Sequence, residues 1–236
     1  MNSKLKTFGI ALAVGLILTA LAAASASAQF TSNKTHTIFS GSQEVSHEFT
    51  AGEGFGGITC ESVTFSGTAT ETNEPDWRIV PTYSNCKDSF GRTVHIDNGN
   101  KIGENQLAYT FTPEEVSKTT SNVVVEKHGP EVHISGEMTL TVTSAGSVVC
   151  TVHIVVPQTA NGITYHNLGG TTGVRVTANS SNVKSTTTGS FLGCGVSEGE
   201  HTEGTYTGTT VFTGKDTVSN PAAISVDSKS TTVHCS

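Results

Sequence analysis

The sequence predicts an all-β protein: an antiparallel β-sandwich, one large or two small in tandem, stapled by disulfides. Three observations carry this expectation. Apolar residues recur with period two in short segments, the mark of half-buried strands. Beyond the N-terminal leader, Thr, Ser, Val and Gly dominate and helix-forming runs of Leu, Glu, Lys and Ala are absent; β-branched residues fit a pleated surface. Five cysteines stand in a chain that begins like an exported one.

The leader comes first. Lys4 and Lys6 precede the apolar run Phe8 to Leu21, and Ala26-Ser27-Ala28 supplies the small residues a signal peptidase accepts. Residues 1–28 therefore read as a signal peptide cut between Ala28 and Gln29. An uncleaved membrane anchor is the rival, and the small-residue tail argues against it. After removal, no segment is long and apolar enough to cross a bilayer as a helix. The expected product is secreted or extracellular, free or attached to the cell wall, with no membrane association after signal removal.

The strands follow. EVSHEFT places Val45, His47 and Phe49 on one face. CESVTFSG aligns Val63 with Phe65, and WRIVPTYS sets Trp77, Ile79, Pro81 and Tyr83 against Arg78, Val80 and Thr82. Pro81 cannot donate to a ladder, so this strand lies at an edge or is interrupted there. TVHID leads into Asn98-Gly99, which suits a type I′ turn. QLAYTFT turns Leu107, Tyr109 and Phe111 inward. TPEEVSK then offers Thr112 as a cap, Pro113 at the first helical position and Glu115 three residues past the cap, predicting one short turn of helix. That turn divides the mature chain into two β-rich halves, 29–115 and 116–236. In the second half come NVVVEK, EVHIS, EMTLTVTS, SVVCTVHIVVP, ITYHN, GVRVTA, GTYTGTTVFTG and AISVD, separated by turn residues at short intervals, as in a sandwich or barrel.

Cys60, Cys86, Cys150, Cys194 and Cys235 are expected to oxidise outside the cytoplasm. Local order pairs Cys60 with Cys86 and Cys150 with Cys194, leaving Cys235 as a free thiol. Cys150 and His153 lie three apart in SVVCTVHIVVP, which suggests a reactive pair. In a strand, however, residues three apart face opposite sides, and a cysteine among valines is inert.

Charge and motif content narrow function. The chain carries 13 Lys and Arg against 20 Asp and Glu, and export removes Lys4 and Lys6. An acidic chain without a basic cluster is unsuited to nucleic acid. Nine histidines show no H-E-x-x-H or other ligand spacing; His95, His133 and His153 fit outward strand positions. Glu198, Glu200 and Glu203, with His201 in the glycine-bearing loop after Cys194, are weak candidate calcium ligands; their spacing matches no calcium motif, and a solvated acidic hairpin tip is the favoured reading. Asp97 in HIDNGN is explained by the turn. No G-x-S-x-G elbow is present. Glu44 and Glu48 share the polar side of one strand, so a carboxylate-dependent glycosidase lacks a visible cleft. Trp77 is the single tryptophan and reads as core. No catalytic residue and no cofactor is assigned.

HEFTAGEGFGGITCESVTFSGT, PTYSNC, CTVHIVVPQ, GITYHN and GTYTGTTVFTGKDT together resemble an uncharacterised group of secreted, β-rich actinobacterial-type proteins. They share F-T-A-G…C…F-x-G-T…P-x-Y-x-x-C and G-x-Y-T-G, and the likeness runs from about His47 to Asp227. It implies an exported β-rich fold and supplies no activity. Members usually carry an additional cysteine just before the segment matching AYTFTP, where this chain has Gly103 to Leu107; the tail holding Cys235 extends beyond their usual end. The expectation is a non-catalytic extracellular or cell-wall-associated binding or structural module with an extracellular or cell-envelope ligand. A secreted hydrolase and a calcium-dependent binding module are the alternatives.

Overall fold

The structure, a computed structural model, describes residues 28–99, 106–113, 116–118, 124–126, 131–169 and 173–228. The leader through residue 27, Glu115 of the capping arrangement and Cys235 lie outside the described residues. Within them the chain forms strands β1 (Ala28–Ser32), β2 (Thr37–Thr50), β3 (Ile58–Ala69), β4 (Asn73–Glu74), β5 (Trp77–Asp88), β6 (Thr93–Asp97), β7 (Ala108–Thr112), β8 (Val116–Lys118) and β9 (Val124–Glu126). There follow β10 (Glu131–Ser135), β11 (Thr139–Ser144), β12 (Ser147–Ile154), β13 (Gln158–Ala160), β14 (Ile163–Asn167), β15 (Val174–Gly189), helix α1 (Phe191–Cys194), β16 (Gly199–Lys215), β17 (Pro221–Ala222) and β18 (Ile224–Ser228). Among the described residues no helix is long and apolar enough to cross a membrane.

The protein is all-β, but it is not a plain sandwich. Eight strands form a closed ring in the order β5-β3-β2-β16-β15-β12-β11-β6, and the ring shuts where Cys86 and Lys87 of β5 pair with Val94 and Thr93 of β6. Closure removes the exposed edges that a sandwich would leave. Alternation in the sequence distinguishes inside from outside and says nothing of which strand lies beside which, so sandwich and barrel look the same from the chain. The closing hairpin is fixed at its tip by buried Asp88, which accepts hydrogen bonds from the backbone N–H of Phe90 and Arg92 and from Arg92 Nε at 2.6 Å.

Two long strands change partner along their length. β5 pairs with β7 at Trp77–Ile79 and with β6 only at Cys86 and Lys87. β15 pairs with β14 over Val174–Ala178 and with β12 over Ser185–Gly189. The sheet therefore forks. At one end β6, β11 and β12 close the ring; at the other, β7, β10 and β13 continue outward from β5. Pro81 lies at the fork: β5 continues through it opposite Phe65, while the side away from β3 has no strand partner from Val80 to Asn85 among the described residues. A missing N–H is harmless there.

Inward positions match the alternation at Trp77, Ile79 and Pro81, at Leu107, Tyr109 and Phe111, and at Met138, Leu140 and Val142. Three local expectations fail. Val45 points to solvent, because the register of β2 shifts between Ser42 and Glu48 and the extra residues rotate it out. Asn98 is not at positive φ; only Gly99 is, at 73°, so the type I′ turn does not form. Val116–Lys118 is a strand paired with β9, not the continuation of a helical turn.

Both disulfides are present as paired from the sequence, Cys60–Cys86 and Cys150–Cys194. The first joins residues directly opposite on β3 and β5. The second ties β12 to α1, a helix with no sequence signal beyond its Ser190 cap and left-handed Gly195. Each closes a loop worth roughly 3–4 kcal/mol in the chain-entropy model.

Candidate functional site

The second end is filled by aromatic rings. Phe30 of the small sheet β18-β1-β4 stacks on Trp77 at 3.9 Å, and Phe39 meets the other side of the same indole at 4.1 Å. Phe111 contacts Tyr165 and Phe212 edge-on, and Phe65 reaches Tyr109 and Phe212. Beside these rings lies a cavity of about 60 Å³. Its wall is apolar, drawn from Phe49, Phe65, Phe111, Ile134, Ile163 and Val176 among others.

A hydrogen-bonded polar cluster backs one part of that wall. Tyr109 Oη and Tyr83 Oη lie 2.6 Å apart, Tyr83 Oη reaches Tyr206 Oη at 3.5 Å, Tyr206 Oη meets His47 Nδ1 at 2.7 Å, and His47 Nε2 meets Thr210 Oγ1 at 2.9 Å. Five side chains thus form a continuous hydrogen-bonded chain, four of them lining the cavity, with Tyr83 behind.

The backbone explains the placement. His47 sits in the irregular segment of β2, where the ladder to β16 skips between Thr207 and Thr209 and again between Thr209 and Thr210. Bulges re-aim side chains and cluster near functional sites. Opposite the ring stands Gly208, where a Cβ would fall 2.5 Å from His47 Nδ1 and 2.6 Å from Cγ. Only a residue without a side chain lets the imidazole lie flat against β16.

His47 is 5% exposed, and burial pulls its pKa from 6.5 down to about 4, partly opposed by a hydrogen bond to the Thr209 backbone. It is neutral at physiological pH. Burial pushes Tyr109 up to about 12 and pushes the Tyr83 and Tyr206 hydroxyls up as well, so all three stay protonated. Among the described residues, the cavity lining contains no Lys, Arg, Asp or Glu.

The residues singled out from the sequence lie elsewhere. Glu200 and Glu203 line an open polar cleft of about 340 Å³ at the disulfide-bearing end, together with Glu53 and His201; Glu198 is not in its wall. His201 Nε2 is engaged by Thr187 Oγ1 and the Ser197 carbonyl, both at 2.9 Å. Among the described residues, no three His, Cys, Asp or Glu side chains come together to hold a metal ion. His95, His133 and His153 face solvent. Glu44 and Glu48 are exposed, and Glu44 is taken by a two-pronged ion pair with Arg175 at 2.5 and 2.8 Å. His47 went unremarked as a candidate, although its alternation with Phe49 already placed a titratable ring on an apolar face.

No protein-family model, curated protein or solved structure matches this chain. Its residues alone carry the functional reading.

Proposed function

We propose that this protein is an exported, non-catalytic binding module that encloses a small, largely apolar molecule in the aromatic end of its β-structure. The cavity carries this reading: a concave, predominantly apolar interior is the usual form of a small-molecule site, and barrels of this size hold one small ligand. Two disulfides favour an oxidising compartment, in keeping with the leader. Among the described residues, the cavity wall carries no charged group, which favours retention of a ligand over acid–base turnover.

The test is to fill the space. Ala178 lines the cavity, and Ala178→Leu extends a side chain into it. Thermal-shift titration of the secreted protein with small hydrocarbons and alcohols should raise the melting temperature of the wild type and leave the variant unmoved. An equal shift in both places the ligand elsewhere. Turnover of an ester or glycoside that disappears on Glu44→Gln or Glu48→Gln would replace the binding reading with a hydrolytic one.

A further inference from the structure

The hydrogen-bonded cluster behind the cavity wall bears on what the cavity admits, provided the ligand-binding reading above holds. We propose that the cavity selects bare hydrocarbon, as a free molecule or the end of a longer chain, over oxygen- or nitrogen-bearing groups of the same size. His47 is the positioning residue that sets this preference, by tying up the hydroxyls around it.

The lining carries the first half. Five residues of the wall bear a side-chain oxygen or nitrogen: His47, Tyr109, Ser180, Tyr206 and Thr210. Each is already engaged within the protein. Ser180 Oγ donates to the Asn161 carbonyl at 2.6 Å. Tyr109 meets Tyr83, while Tyr206 and Thr210 meet the two nitrogens of His47. The protons balance as well. The chain from Tyr109 to Thr210 holds four hydroxyl protons and one imidazole proton. It makes four links between its members, and His47 adds one to the Thr209 backbone. No donor is left over for a carbonyl. A hydroxyl or an amine entering this space gives up its water without an equal return, whereas hydrocarbon gives up no hydrogen bond.

Geometry assigns the second half to His47. The buried ring borders the cavity and lies between Tyr206 Oη, 2.7 Å from Nδ1, and Thr210 Oγ1, 2.9 Å from Nε2. Take the ring away, and the vacated room joins the cavity with those two hydroxyls along its border. The change that enlarges the space also makes it polar. One side chain thus sets both the size and the chemistry of the cavity.

Size chooses the probes. A water-sized sphere needs about 10–15 Å³ of such space, so about 60 Å³ suits roughly five non-hydrogen atoms. Pentane, 1-butanol, butanone and butylammonium are matched at that size. They are titrated at neutral pH into the purified protein and followed by ligand-observed NMR.

Pentane should bind at least tenfold more tightly than any of the others. In His47→Ala the butanol-to-pentane affinity ratio should rise several-fold. In His47→Gln, which keeps a donor and an acceptor at that position, the ratio should stay near the wild-type value. Octyl glucoside distinguishes the two sources of hydrocarbon: competition with pentane assigns the end of a longer chain, and its absence assigns a free molecule. Butanol or butanone binding as tightly as pentane overturns the proposal. So does a ratio that stays flat in a folded His47→Ala, or one that rises equally in His47→Gln, since the ring would then act through its bulk alone. Should neither variant fold, Thr210→Val removes the hydroxyl from Nε2 and must raise the ratio instead. Should pentane fail to bind the wild type, the ligand-binding reading itself falls.

Discussion

The two ends of the molecule are built on the same five long strands and solve the packing problem differently. At the ring-closing end the interior carries both disulfides, Cys60–Cys86 and Cys150–Cys194, on the strands and short helix that also bury Val94, Leu140, Val142 and Val152, with the Phe49–Phe55 ring pair nearby. At the other end there is no described disulfide, and rings meet rings from Phe30 through Trp77 to Phe212. There the enclosed void is apolar, lined by aliphatics as well as rings, with the phenolic hydroxyls packed behind its wall. Rigidity and space are thus separated along one set of strands, and the fork in β5 and β15 is the device that separates them.

The largest effect should come from cutting the closed end. Cys150→Ala/Cys194→Ala removes the longer-loop bond, and the chain-entropy model assigns it roughly 3–4 kcal/mol, a sizeable part of the ~5–15 kcal/mol typical of a domain. Denaturant unfolding of the double variant should show a loss of that order. The Tyr109 and Tyr206 resonances should keep their wild-type positions in the variant as long as it stays folded. If they move as much as resonances in β12, the two ends are one cooperative packing unit and the contrast fails.

That contrast was half legible in the chain. Alternation placed Trp77, Ile79, Tyr109, Phe111 and Leu140 indoors correctly, because a strand's inside and outside are a local property. Cysteine spacing placed both bonds, because Cys60 and Cys86 fall on consecutive long strands of the barrel wall. Closure was not legible: it depends on β5 meeting β6 and β15 meeting β12, contacts between segments whose sequences carry no label for each other. Nor were the bulges in β2 and β16. They turn Val45 outward, against the alternation, and they bring His47 over Gly208. The site lies where local periodicity breaks down, which is why a reading based on periodicity passed over it.

A second, somewhat smaller effect follows from His47. Its folded-state pKa, about 4, lies below the 6.5 of an exposed imidazole. Between those values the unfolded chain takes up a proton that the folded chain refuses. The stabilisation is therefore complete above pH 6.5, declines as pH falls, and is gone by about pH 4. The size of the shift corresponds to about 3 kcal/mol. His47→Gln should flatten this part of the stability–pH curve while the carboxylate-dependent part persists. An unchanged slope in that variant would mean that the folded ring titrates like an exposed one.

The smallest effect tests the contact that holds the site together. Gly208→Ala inserts a methyl group 2.5 Å from a ring atom, closer than real Cβ contacts come. The imidazole cannot swing aside freely, being held at Nδ1 by Tyr206 and at Nε2 by Thr210. The expected loss is about 1–3 kcal/mol, the ordinary range for overpacking, and the His47 titration should move up toward that of a solvated ring. In a His47→Ala background the obstacle is gone, so the same methyl should cost much less. A double-mutant cycle measures that difference directly. Strong coupling places the strain at the ring. Equal costs in both backgrounds would locate it in the β16 backbone, and the irregular register between Thr207 and Thr210 would then be a requirement of the barrel, with His47 merely occupying it.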